Sequence, residues 1–376
     1  MSMFFVLFFT LYAALHAYVF IRTWNAFRFS LVTGGIVAIA FLLCVFLPLF
    51  TRSFEHGGHE GFARALAYVG YTWMCLIFFF LVISVAIDIS RLCIIVFSSV
   101  AKINLPRTIH SSLVFFLVSA VASVAITAYG YHEARAIRTE RIGIETSKLP
   151  RGIDRLTIVQ ISDVHLGLIN RAAPLRRAVE IIKEIRPDIL VSTGDLVDGQ
   201  INTLDGLSDI LREINPPYGK YAVMGNHEFY AGVKISEDFT QKAGFIMLRQ
   251  KAVTIKNMLN IVGVDDTGHW NRPGPITDEE LLKKVPRNIF TVFLKHRPEV
   301  DAGLLGLFDL QLSGHTHGGQ VYPFRYITQI PFPKVAGLYE LDGDTVLYVS
   351  RGTGTWGPPV RVLAPPEITV FEIIRK

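Results

Sequence analysis

The stretch LTIVQISDVHLG, residues 156–167, holds a strand and the beginning of a chemical site. Its first seven residues are apolar and rich in β-branched side chains, as in a buried strand. The polar remainder places Asp163 and His165 one residue apart. Downstream, APLRRAVEIIKEIRP (173–187) reads as a helix: Pro174 suits the first turn and Pro187 ends it. Leu175, Ala178, Val179, Ile182 and Ile185 would share its buried face. DILVST (188–193) is then a second strand, and strand, helix, strand at this spacing makes a βαβ unit. Further strands are expected at 220–224, 289–294, 309–313, 345–350 and 367–373. The fold class is α/β, with a β-rich C-terminal part.

Each of the first five strands runs into a polar loop: SDVHLG, GDLVDG, GNHEFY, KHRPE and GHTHGGQ. Ligands in α/β sheets bind beyond the carboxyl ends of the strands, where these loops would converge. The donors gathered there are Asp163, His165, Asp195, Asp198, Asn226, His227, His296, His315 and His317. Five of the six histidines after position 133 are among them. Imidazole and carboxylate without thiolate suits Mn, Fe or Zn. Nine donors exceed the needs of one ion and fit two, roughly 3.5–4 Å apart, with a bridging carboxylate. No motif decides the matter alone: DVH recurs by chance, and GDLVDG could be an Asx turn. The ordered series, each member after a strand, is what carries weight.

That series, D-x-H, GD-x-x-D, GNHE, H and GHTH, resembles the calcineurin-like metallophosphoesterases over roughly 154–376. The closing VSRGTGTWGPPVRVLAPPEITVFEI (349–373) is similar to a membrane-associated bacterial branch of that family. The resemblance implies a four-layer α/β/β/α sandwich with two divalent metals at one edge. Asp163, His165 and His317 would hold one metal and Asn226, His296 and His315 the other, with Asp195 bridging. His227 would donate a proton to the leaving oxygen and Asp198 would orient it. The implied reaction is in-line attack on phosphorus by a metal-bridging hydroxide. No G-x-S-x-G elbow or Walker A loop competes with this reading. For the substrate, the resemblance points to UDP-2,3-diacylglucosamine, an intermediate of lipid A assembly. Two other readings stand beside it: a tethered phosphodiesterase for soluble or cell-wall esters, and a non-catalytic membrane sensor.

The HTH spacing is read as an extended segment whose neighbouring side chains diverge toward different ions. Gly318 and Gly319 would let the backbone pass close to the cluster. Arg297 and Arg351 are candidates for pairing with substrate phosphate. Glu228 could support the site without ligating metal. Asp265 and Asp266 read as strand-end and turn residues, and His269 with Trp270 as a surface loop. The run 321–333, with Tyr322, Phe324, Tyr326, Ile330 and Phe332, is either an apolar lip or a proline-braced packed loop.

The first third is of another kind. The chain is 51% hydrophobic over 376 residues, and the excess lies in four uncharged stretches, 2–21, 29–51, 65–87 and 111–130. Each can cross a hydrocarbon core of roughly 30 Å. A cleavable signal peptide is disfavoured because residues 1–21 lack a basic start. Lysine and arginine counts tie between the two faces, so sidedness stays open. Asp88 reads as a helix-end residue within reach of Arg91. Cys44, Cys75 and Cys93 all lie in this part, which removes thiolate zinc sites from the remainder. The net charge of +5 lacks the aromatic-basic interleaving of a nucleic-acid binder. The expected partners are the bilayer and a phosphoester substrate, with oligomeric state open. The expected domains are a transmembrane part (1–131), a connector (132–153) and a metallophosphoesterase domain (154–376).

Overall fold

A computed structural model describes residues 3–105, 111–199, 204, 206–266, 276–342 and 344–376. His269 and Trp270 therefore lie outside the described residues. The chain separates into two compact units, 1–131 with 357–360, and 132–356 with 361–376.

The first unit is helical: α1 Met3–Phe27, α2 Leu31–His56, α3 Glu60–Ala101 and α4 Ser112–Glu133. All four helices are long and apolar enough to cross a membrane. Large hydrophobic side chains such as Leu31, Ile36, Leu92 and Val121 point outward. That arrangement is stable where the surroundings are lipid, and the backbone bonds close within each helix. A small core of Tyr12, Val19, Val45, Ile77 and Phe80 joins the helices. The third helix corrects the expected span of 65–87. It continues through Asp88 for 42 residues, about 63 Å at the usual rise. Asp88 thus lies inside a helix, and it accepts from Arg22 of α1 at 2.9 Å as well as from Arg91.

The second unit contains strands β1 Arg138–Thr146, β2 Arg155–Ile161, β3 Ile189–Ser192, β4 Lys220–Ala222, β5 Ile246–Met247, β6 Lys251–Ile255, β7 Leu259–Gly263, β8 Phe290–Leu294, β9 Leu310–Ser313, β10 Gly337–Glu340, β11 Val346–Val349 and β12 Glu367–Arg375. They form two six-stranded sheets, β1-β12-β2-β3-β4-β5 and β10-β11-β9-β8-β7-β6. The sheets pack face to face. Alternation along each strand sends Ile158, Val191 and Phe371 of the first sheet, and Ile261, Val292 and Leu312 of the second, into one shared core. The opposite faces are covered by helices. Val159, Leu190 and Val370 pack with Leu175, Ala178, Val179 and Ile182 of α5 (Ala172–Ile185), while Val262 and Phe293 pack with Leu281 and Leu282 of α9 (Asp278–Leu282). The result is the expected α/β/β/α sandwich.

The segment read as a connector supplies a strand. β1 pairs in parallel with β12 from Arg138↔Glu367 to Thr146↔Arg375. Its sequence RTERIGIET turns Ile142 and Ile144 toward the core and leaves charged residues outward. The hairpin β6–β7 was also absent from the sequence reading. It closes through Lys256 and Asn257, both in the left-handed region.

The parallel strands β2, β3, β8 and β9 aim their C-terminal ends at the same edge. A hydrogen bond ties the two sheets together there, Gln160 Nε2 donating to Ser313 O at 3.0 Å, and within the second sheet Gly314 N donates to His296 O at 2.8 Å.

Candidate metal centre

Three of the five polar loops, those after β2, β3 and β9, leave their strands through an unusual backbone turn. Asp163, His165, Asp195, His315 and His317 all have positive φ, between 49° and 71°. Non-glycine residues rarely adopt this region, and such strain collects at functional sites. It bends the chain immediately after each of these strands and folds the side chains back toward the sheet edge. At Gly225 a side chain is excluded altogether, since a Cβ would lie 2.2 Å from Asp195 Oδ1.

Seven of the nine expected donors fall into close groups. Asp163, His165 and His317 have ligand atoms within 4.8 Å of one another, as do Asp195, His296 and His315, and also His165, Asp195 and His227. Asn226 opens α7 (Asn226–Ala231), immediately before His227. The closest approaches are between groups that repel or cannot all donate. His165 Nε2 is 3.0 Å from His317 Nε2, and His315 Nδ1 is 3.1 Å from His296 Nε2. Asp195 Oδ2 lies 3.1 Å from His296 Nε2 and 3.7 Å from His165 Nε2.

This donor set fits cations. His296 Nδ1 contacts Thr193 O at 2.8 Å, which places the proton on Nδ1 and a lone pair on Nε2. That lone pair faces Asp195 Oδ2 and His315 Nδ1, so a positive charge belongs between them. Asn226 Oδ1 is buried without a hydrogen-bond donor, the condition of an amide oxygen placed for a metal. Where no cation sits beside His296, a second proton on its Nε2 takes that place. Burial works to lower the His296 pKa, yet Asp195 chiefly, then Asp163 and Asp266, push it up to about 10. Burial raises Asp163 to about 6, reinforced by Asp195. Burial drives His315 and His317 well below the ordinary imidazole value.

His227 stands at the rim of the cluster. Its Nδ1 contacts Asp198 Oδ1 at 2.7 Å, and its backbone N–H donates to Asp195 Oδ1 at 2.9 Å. Burial works against the imidazolium, but Asp195 and Asp198 outweigh it and raise the pKa to about 9.

The supporting layer was less visible in the sequence. Glu228 is buried and accepts four backbone N–H bonds, from Gly225, Asp195, Leu196 and Val197, at 2.7–3.2 Å. One carboxylate thus fixes two loops. Its position three residues after Gly225, in capping-box spacing, is the signal that could have revealed it. Arg361 is completely buried and contacts His317 Nδ1 at 3.1 Å while donating to the carbonyls of His317, Arg351 and Ala364. No sequence pattern distinguishes it from a surface arginine.

Two local expectations need correction. The HTH segment is not extended, because residues two apart in a strand would share a face. Thr316 is right-handed between two left-handed histidines, and this alternation sends His315 toward His296 and His317 toward His165. Gly319 makes room for a neighbour other than the cluster: a Cβ there would sit 2.4 Å from Arg325 Cα, where α10 (Arg325–Thr328) begins. Asp265 and Asp266 are ion-pair partners, Asp265 with Arg249 at 2.9 Å and Asp266 with Arg297 at 2.8 Å. Arg351 is engaged by Glu140, Glu367 and Pro365 O.

The profile of the family described as Calcineurin-like phosphoesterase matches residues 156–319. An "uncharacterized metallophosphoesterase" of Aquifex aeolicus is 43% identical over 255 residues, 67% of this chain and 97% of its own length. The chain is a calcineurin-like phosphoesterase. A Bacillus subtilis relative, the "uncharacterized metallophosphoesterase YkuE", is 35% identical over 68% of this chain and 94% of its own. A Danio rerio "transmembrane protein with metallophosphoesterase domain" is 29% identical over 67% of this chain and 61% of its own. As a calcineurin-like phosphoesterase, this protein is a metal-dependent phosphoester hydrolase using two divalent cations. Its four apolar helices make it a multi-pass membrane protein.

Proposed function

We propose that the enzyme cleaves a phosphoester or diphosphate bond in a lipid-linked substrate at the membrane surface. The observation that carries this is the apolar segment beside the metal centre. Tyr322, Phe324, Tyr326, Ile327 and Ile330 are all exposed, Ile330 to 80%. Phe332 of the same segment stands edge-on to His315, with ring centroids 4.9 Å apart. An exposed apolar run of this size on a soluble domain marks an interaction surface, and here it begins at the site itself. UDP-2,3-diacylglucosamine combines a diphosphate with acyl chains and is the first substrate to test.

In this reading Asp163, His165 and His317 hold one cation, Asn226, His296 and His315 the second, and Asp195 serves both. Cations held by these residues would lower the pKa of water and neutralise charge on the phosphoryl oxygens. His227 is kept protonated by Asp195 and Asp198 and gives its proton to the leaving oxygen. Asp198 holds the imidazole so that Nε2 faces the substrate. Arg297, whose charge is felt at His315, attracts the phosphate. Arg351, with its guanidinium engaged by carboxylates, takes a supporting part.

The test is turnover by the purified protein in lipid nanodiscs, with and without Mn²⁺. The panel is UDP-2,3-diacylglucosamine, phosphatidylglycerol phosphate and an aryl phosphodiester. Mn²⁺-dependent turnover favouring a lipid ester is expected, and equal or better turnover of the aryl ester would reject the lipid assignment.

A further inference from the structure

We infer that Tyr230 and Trp356 form a leaving-group subsite for a flat ring, aryl or nucleobase, beside His227. The inference rests on the proton-donor role proposed for that histidine. Tyr230 lies three residues after His227 on α7, so the two side chains share a helix face. Their ring centroids are 5.3 Å apart at 71°. Trp356 arrives from a distant loop and sets its ring 5.9 Å from the same imidazole at 73°. Two large rings from separate elements thus border one edge of the site. Both are exposed, Tyr230 at 55% and Trp356 at 51%.

Exposed rings are commonplace, but Trp356 is held in place. Gln320, the last residue of GHTHGGQ, clasps its peptide from both sides: Trp356 N donates to Gln320 Oε1 and Gln320 Nε2 donates to Trp356 O, each at 2.9 Å. The loop that carries His315 and His317 therefore also fixes the tryptophan. His227 Nδ1 is committed to Asp198, which leaves Nε2 to deliver the proton. The oxygen that receives it belongs to the departing group, so the body of that group lies against these two rings.

The two ends of the centre also differ in character. His315 meets Phe332 and the apolar segment, surroundings suited to acyl chains. His227 meets rings that carry an O–H and an N–H, suited to an amphipathic flat ring in a wet setting. Stacking on such rings is worth roughly a tenfold or greater change in affinity per base-sized ring.

Calorimetry on the Mn²⁺-loaded full chain in nanodiscs tests this without turnover. Phenylphosphonate should bind about ten times more tightly than cyclohexylphosphonate, which has a ring of similar size but no flat π face. Trp356→Leu and Tyr230→Leu should each erase most of that preference, leaving cyclohexylphosphonate affinity within about twofold and two metals per chain. Equal binding of the two phosphonates by the unaltered protein, or a preference unchanged in both variants, would overturn the subsite while leaving the phosphoesterase reading intact. Loss of metal in both variants would show that the rings only support the fold and would also overturn it. Failure of both phosphonates to bind would sink the phosphate site itself, and the subsite with it.

Discussion

The helical unit and the sandwich treat buried polar groups in opposite ways. In the helices, unlike groups meet. Trp73 Nε1 donates to His16 Nε2 at 2.9 Å while His16 Nδ1 contacts Tyr12 O, so one neutral tautomer serves both. Ser84 donates to Ser119, and Arg22 pairs with Asp88. At the sandwich edge like meets like: imidazole nitrogen faces imidazole nitrogen, and the buried carboxylates Asp163 and Asp195 both raise the proton affinity of His296, while Asp195 raises that of Asp163 as well. In the first arrangement each of these pairs satisfies itself. The second needs cations, and its chemistry follows from that need.

The largest effect that would break this contrast is at Asp195. Asp195→Asn keeps the shape but removes the charge that the proposed reading has both cations share. Turnover should fall by about four orders of magnitude or more, some 5.5 kcal/mol in the barrier. Bound metal, counted by atomic emission, should drop below two per chain. A variant that keeps both metals and near-normal rates would mean the carboxylate is not shared. His227→Ala comes next, with an expected loss of roughly a hundredfold or more, the usual contribution of a general acid. Metal content should be unchanged, and metal loss would reassign His227 as a ligand.

The contrast also explains what the sequence could and could not reveal. Donor residues sit in short strings directly after strands, so His315, His317 and Asp163 could be grouped from spacing alone. The alternating left-handed backbone that aims them leaves no mark in residue type, because any histidine can be forced there by its surroundings. Ile158 and Leu190 announce strands by being apolar in a run. β1 hid its periodicity among charges, since one of its faces meets solvent. Glu228 could be placed beside the site but its partners could not, and Arg361 escaped altogether, because each acts on backbone groups brought from distant loops and such partners have no local signature. The helix α3 was cut short at Asp88 because a charge there looked like an end. The missing information was its partner, Arg22, 66 residues away.

Glu228 tests how far the supporting layer governs the centre. Glu228→Gln retains the shape but replaces an anion accepting four N–H groups with an amide. Stability of the sandwich should fall by about 2–3 kcal/mol, read from denaturant midpoints in detergent. No change would mean that the loops hold themselves without the carboxylate.

Lys220 is a smaller case of a charge buried in the sandwich, and its sign can be worked out. Its ammonium donates to the carbonyls of Leu211 and Ala243, yet desolvation, with Arg212 nearby, lowers its pKa to about 8. The unfolded chain has the ordinary lysine value, near 10.4. Between these values the unfolded state binds more protons, so this residue's contribution to stability rises as pH climbs from about 8 to 10.4 and is flat below that window. Relative to Lys220→Met, the unaltered protein should gain about 2 kcal/mol or less across it. A flat difference would show that the ammonium is as well solvated folded as unfolded.

The smallest effect belongs to the helical arrangement. Arg22 and Asp88 make a two-oxygen contact at 2.9 and 3.2 Å, and Arg91 approaches the same carboxylate at 3.4 Å. With a second arginine available, Asp88 keeps a cation when Arg22 is lost. Because both groups are partly exposed, a double-mutant cycle of Arg22→Gln and Asp88→Asn should give a coupling of about 1 kcal/mol or less. Catalysis on a soluble aryl ester should be unaffected. A coupling several times larger would mean that this pair sits in dry surroundings. The charge would then be locked as firmly as at the sandwich edge, and the difference between the two regions would lie in what their polar groups do rather than in how deeply they are buried.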